Sequence, residues 1–328
     1  MATRTIRRRG GFTLVEMLVV VAIIAILAAI LIPVANTALK YARRTSNGAE
    51  IADLGTAIER YKSENGGLYP PSFGEAQALG GSYANMFVNN VPIPWRNSLL
   101  GRYVMKAYPK ATPTDIQALF NMADNLDQGS ALHFWLAETF DDPRYPFTGG
   151  PNGAGAPRRT YFAFDERRLT QGADNPAFAN TFFMWYRPRF AGESYYIYIE
   201  AKHYGAHINN NLATDQSGGR PRAGFGTDMN ARTPDVSVRP WLKQQVVDTN
   251  PANPNNYVNG DTYQLFCAGL DSRFQSTPSN GDMLRKFPCG DTGLDYGGNQ
   301  IPYADFVDDR DNQTNFSEGK QIIDTPAN

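Results

Sequence analysis

The chain has 328 residues, of which 42% are hydrophobic and 12% aromatic, with a formal net charge of −1. Such content excludes a wholly disordered chain and suffices for one large folded domain or two small ones. Without the four arginines among residues 1–11, 27 basic residues face 32 acidic ones, which argues against nucleic acid as a partner. The two cysteines, Cys267 and Cys289, both lie in the C-terminal part, where a disulfide and two free thiols are both open.

The apolar run from Phe12 to Ile32 covers 21 residues and contains one carboxylate, Glu16. At about 1.5 Å per residue, a helix of that length spans about 30 Å, the hydrocarbon thickness of a bilayer. Arg4, Arg7, Arg8 and Arg9, with no acid among residues 1–11, predict that this end stays on the cytoplasmic side, although Lys40, Arg43 and Arg44 weaken the asymmetry. From Val20 to Lys40 no alanine has another alanine two positions away, so a small-residue signal cleavage site after the run is not predicted. The small pair Gly10-Gly11 precedes the run instead. Glu16, inside an apolar helix, carries a desolvation cost and calls for a partner. Pro33 removes a backbone donor and crowds the preceding turn, which predicts a kink or local melting at the membrane exit.

The stretch GGFTLVEMLVVVAIIAILAAILIP resembles the N-terminal signature of the type IV pilin superfamily, in particular the pseudopilins of type II secretion systems. The resemblance covers the chain to about residue 65. It implies a leader, residues 1–11, cut after Gly11 by a prepilin peptidase, and N-methylation of the new terminal residue Phe12. Residues 12–33 then form a transmembrane and filament-core helix, in which Glu16 meets the terminal amine of a neighbouring subunit and Pro33 permits bending or melting on leaving the membrane. It also implies an inner-membrane anchor, a periplasmic domain over residues 66–328, an inner-membrane secretion platform as partner, and a homo- or hetero-polymer with other pseudopilins. The resembling family is structural, with no reaction of its own.

Beyond Pro33, helical spacing continues over residues 34–65, with Ile51, Leu54, Ile58 and Tyr61 on one face. Gly66-Gly67 supplies a stop, followed by Pro70-Pro71. Between Phe73 and Arg158 the chain reads as irregular, with short apolar pieces at 83–88 and 99–104. Residues 114–140 are better patterned and predict one broken helix or two short ones, interrupted near Gly129. Strands are predicted at 160–166, 180–190 and 194–202, with either Ala191 to Ser194 as a hairpin turn or a longer turn between the last two. A further strand is expected within 260–274, and long loops over 205–260. The fold class is therefore α+β: a long N-terminal helix packed on a C-terminal antiparallel β-sheet domain with long loops.

Signals for catalysis are poor. No Gly-x-Ser-x-Gly elbow occurs, and His203 and His207, four apart on a strand-like stretch, lack the glutamate of a metalloprotease helix. The acidic segment DFVDDRDNQTNFSEG offers hard oxygen ligands of the kind Ca²⁺ prefers, while a solvated acidic loop is the alternative. This tail resembles that of the major pseudopilin, which implies one structural calcium, with Asp271 in a Gly-x-Asp turn and Asp308, Asp309 and Asp311 as further ligands. Ser272, in place of a glycine, and the insertion at 275–304 depart from that pattern. An EF-hand is excluded, because a loop beginning at Asp309 would place Lys320 at the bidentate glutamate position. Besides a secretion filament subunit, a pilin-anchored adhesin or ligand-binding protein fits the aromatic strands and long loops.

Overall fold

A computed structural model describes residues 13–73, 82–87, 95–124, 126, 128–171, 184–190, 194–204, 240–243, 253–270, 283–284, 286–287, 292–295, 300–302 and 313–317. The chain divides into two units between Arg43 and Arg44. Helix α1, Leu14–Glu64, contributes to both and has 51 residues, a length of about 77 Å at 1.5 Å per residue.

In the first unit α1 is exposed from Leu14 to Arg43, with only Ala28 partly covered. It runs through Pro33 without interruption, so the expected local melting is not a feature of this state. Proline removes one helical bond, the one residue 33 would donate to the carbonyl of Ala29, while the bonds on either side hold the helix. The Thr37 hydroxyl also donates to the Pro33 carbonyl at 3.0 Å.

Within the second unit the character of α1 changes. Asn47, Ile51, Leu54, Ala57, Ile58 and Tyr61 are buried at three- and four-residue steps, as the periodicity predicts. The helix stops because Gly66 and Gly67 adopt φ of +73° and +71°, which lets the Gly67 N–H reach the Lys62 carbonyl at 2.9 Å. At Gly66 a side chain would also meet the Lys106 carbonyl oxygen at 3.2 Å.

The stretch expected to be irregular holds two helices, and a third opens the 114–140 segment where helix is predicted. Helix α2, Tyr83–Phe87, is capped by Asp124, whose carboxylate accepts from Ser82 Oγ, Tyr83 N and Ala84 N. Helix α3, Leu99–Ala107, begins at Ser98, whose Oγ accepts from Gly101 N at 2.9 Å. Helix α4, Pro113–Ala123, has Thr112 as its N-cap and Pro113 in its first turn. The break predicted near Gly129 is present, since α5, Ser130–His133, follows and passes into a π-helical turn, Phe134–Glu138. Trp135 sits at the centre of the core, fully buried, stacked on Phe73 at 5.6 Å and donating Nε1–H to the Pro71 carbonyl at 2.8 Å. Tyr61 of α1 shares hydroxyl hydrogen bonds with Tyr103 and Tyr108, joining α1 to α3 and its C-terminal cap.

Strands β1, Leu169–Gln171, and β2, Met184–Tyr186, form an antiparallel pair. Strand β5, Tyr263–Cys267, lies between β3, Ile197–Glu200, and β10, Gln313–Thr314, antiparallel to both. Among the described residues there are also short strands: β4, Leu242–Lys243, pairs in parallel with β7, Lys286–Phe287. An antiparallel trio joins β6, Met283–Leu284, β8, Thr292–Asp295, and β9, Gln300–Pro302. The α+β class therefore holds, with one parallel pair among the antiparallel ones in the described residues.

Two strand expectations are corrected. Residues 160–166 are not a strand: Arg159 N–H and Tyr161 N–H bond to the carbonyls of Thr139 and Leu136, at the π-helical turn, rather than to a neighbouring strand. Among the described residues β2 and β3 belong to different sheets rather than to one hairpin ladder, and 191–193 of the expected turn lie outside the described residues. Pro188 ends the ladder two residues after β2, and Tyr196 N–H to Tyr186 O at 2.9 Å is a backbone bond that still links the two segments.

Candidate functional site

Helix α1 starts with a reciprocal pair. Thr13 directly precedes the first helical residue, Leu14, and Glu16 is the third helical residue. Thr13 N–H and Thr13 Oγ1–H both donate to Glu16 Oε2 at 2.8 Å, and Glu16 N–H donates to Thr13 Oγ1 at 3.2 Å. This is a capping box: each residue satisfies a backbone donor that the helix leaves without a partner. The carboxylate also lies at the electropositive end of the helix. Its other oxygen, Oε1, accepts no hydrogen bond among the described residues. Glu16 can therefore remain bonded within its own chain and still offer an oxygen to a cation from outside.

Behind this head the helix is apolar all round. Sixteen large hydrophobic side chains between Leu14 and Leu39 are exposed, Leu14 at 80% and Leu31 at 68%. A helix with apolar side chains on every face needs lipid or other helices around it. Among the described residues α1 is a helix long and apolar enough to cross a membrane.

In the second unit a different carboxylate fixes α1 onto the domain. Arg168 Nη1 donates to Glu50 Oε2 at 2.9 Å and Arg168 Nη2 to Glu50 Oε1, making a two-pronged pair. Tyr196 Oη donates to Oε2 at 2.7 Å and Tyr186 Oη to Oε1 at 3.0 Å. Both oxygens of Glu50 are thus taken, by residues from β2, the segment before β1, and the approach to β3.

The residues expected from sequence are distributed unevenly. Glu16 and Pro33 are both on α1, while Gly11 and Phe12 lie outside the described residues. Asp271, Asp308, Asp309, Asp311 and Cys289 lie outside them too, so neither the calcium set nor the Cys267–Cys289 pairing is addressed. Cys267 is buried in β5 with its Sγ 3.0 Å from the Ala268 carbonyl oxygen. His203 is buried with Nδ1 3.0 Å from Glu200 Oε2, and His207 is outside the described residues. Among the described residues no group of three potential metal-binding side chains is present. Thr13, the hydrogen-bond partner of Glu16, is not among the residues expected from sequence, though Thr-x-x-Glu ahead of an apolar run is a recognisable helix-start signal.

No curated protein and no solved structure gives a significant match. A family model does match, the prokaryotic N-terminal methylation motif, over residues 6–32. It spans the candidate cleavage pair, Thr13, Glu16 and the whole apolar run. The motif implies processing by a prepilin peptidase, polymerisation and a structural subunit, and with the apolar helix it fits a membrane anchor. Over residues 6–32, therefore, the chain carries a prokaryotic N-terminal methylation motif of the kind that marks type IV pilin-like prepilins.

Proposed function

We propose that the chain is a pseudopilin of a type II secretion system. It is cut after Gly11, methylated at Phe12, held in the inner membrane with its globular domain in the periplasm, and drawn into a periplasmic filament through α1. The observation that carries this reading is the half-committed carboxylate of Glu16 at the head of an apolar, exposed helix within a methylation motif.

The chemistry is assembly. While the subunit is in lipid, Thr13 supplies donors that reduce the cost of a carboxylate there. In the filament, the amine of a neighbouring Phe12 pairs with the open oxygen of Glu16, and the apolar flanks of adjacent helices replace lipid around the run. The calcium set Asp271, Asp308, Asp309 and Asp311 belongs to the same proposal and would brace the C-terminal tail. Loss of the chelator-sensitive part of the melting curve in Asp309→Asn tests it, and a curve indifferent to chelator removes it.

Mass spectrometry of the mature N-terminus tests the processing, with N-methylated Phe12 expected; an intact leader or a cut beyond Pro33 would overturn the reading. For the secretion role, cells lacking the chain should retain exported proteins in the periplasm. Wild type should restore export and Glu16→Ala should not. Normal export together with lost surface attachment would instead favour the adhesin.

A further inference from the structure

A cavity of about 330 Å³ opens in the second unit between α3, the 68–71 segment after α1, and the end of β3. That is the lower end of the size range of small-ligand pockets. Leu68, Tyr69, Leu99 and Tyr103 supply apolar and aromatic walls. On α3 the lining positions 99, 102, 103 and 106 follow one helical face, so the cavity is built from a single surface of that helix.

Its charges are arranged unevenly. Among the lining residues Arg102, Lys106 and Lys202 are exposed, while Glu200 and His203 are buried. Glu200 is already engaged: Oε2 meets His203 Nδ1 at 3.0 Å and accepts from Lys202 N at 3.1 Å, and Oε1 lies 4.0 Å from Lys202 Nζ. Arg102 and Lys106 have no acidic partner among the described residues, and they stand one turn apart on the same helix face. Two like charges in that relation repel each other. His203 Nε2 is buried and has no hydrogen-bond partner among the described residues.

We propose that this cavity is a binding site for a small organic carboxylate. Arg102 and Lys106 hold the carboxylate at the opening, and an apolar or ring-shaped body enters between Leu68, Leu99 and the two tyrosines. Three cations against one carboxylate favour an anion of low charge, and the apolar walls leave a bare inorganic anion without contacts for most of the space. The assembly chemistry of α1 makes no use of this cavity, so the site stands or falls independently of the filament reading.

The test uses the full chain in non-ionic detergent and 4-fluorobenzoate as probe, followed by fluorine NMR. Saturable binding with a Kd on the order of 1 mM is expected for a ligand this small. Arg102→Gln/Lys106→Gln should weaken it about tenfold. Lys110→Gln/Arg167→Gln, which removes the same charge from exposed positions outside the cavity lining, should leave it unchanged. Equal weakening in both double variants, or no saturable binding to wild type, overturns the site. Tighter binding of inorganic phosphate than of 4-fluorobenzoate overturns the carboxylate assignment.

Discussion

Replacing Glu50 by alanine should loosen α1 from the globular domain more than any change on its exposed face. The Glu50 and Arg168 side chains are only 14% and 16% exposed, so the guanidinium left behind cannot be fully rehydrated in place. Removing one member of a buried ion pair typically costs about 3–5 kcal/mol. Two tyrosine hydroxyls, of Tyr186 and Tyr196, lose their acceptor in the same step. A loss near 3 kcal/mol lowers Tm by roughly 6–12 °C in a domain of this size. The assay is thermal melting of the full chain in detergent for Glu50→Ala, Arg168→Ala and the double variant. Because the two residues act through one contact, the double variant should be less destabilised than the sum of the singles, by about 1–3 kcal/mol. Strict additivity, or a Glu50→Ala loss below about 1 kcal/mol, would refute the inference that this pair anchors the helix.

Three further outcomes are expected. Burial, reinforced by the nearby Arg158 charge, lowers His133 from its ordinary 6.5 to about 4, and Glu138, 3.6 Å from Nε2, does not offset this because Arg158 engages its other oxygen at 2.6 Å. The unfolded chain then takes up this proton first on acidification. Stability from neutral His133 is complete above pH 6.5, declines by roughly 3 kcal/mol in all as pH falls to about 4, and is flat below. His133→Gln should remove that slope from the stability curve, and an unchanged slope would sink the assignment. Thr13→Ala should cost the helix start about 1 kcal/mol and reduce filament yield, while Thr13→Ser restores both; failure of serine to rescue would count against the capping role. Asp124→Ala removes the acceptor for three donors at the start of α2 and should cost about 2–3 kcal/mol, read as faster amide exchange at Tyr83 and Ala84.

How much of this was legible follows from where each signal resides. The packed stripe of Ile51, Leu54, Ile58 and Tyr61 and its stop at Gly66-Gly67 are local patterns, and the structure follows them. Helix α3 was hidden because its apolar piece is short, although Ser98 before Leu99 is a cap signal. Tyr161, Phe162 and Phe164 read as an alternating strand, yet their rings serve the core from an irregular segment. Alternation reports where side chains are buried, and only a neighbouring strand makes it a ladder. The Glu50–Arg168 pair, 118 residues apart, has no local signature beyond an acid set within the apolar stripe.

That last hint links the two ends of α1. Glu16 and Glu50 are both acids among apolar neighbours, and each is satisfied by a different route. For Glu50 the partners are remote, every oxygen is occupied, and release requires opening the domain. For Glu16 the partner is three residues away, only Oε2 is used, and the side chain is exposed. An acid that must exchange partners during assembly needs the second arrangement, because a local cap can re-form without disturbing the fold. An acid that must hold a helix in register needs the first. On the proposed assembly reading, the contrast suits joining chemistry at Glu16 and anchoring of the C-terminal half of α1 at Glu50, and it predicts that Glu50→Ala is still processed and methylated at Phe12 while assembling poorly. Loss of methylation in Glu50→Ala would show instead that the globular domain governs the helix start.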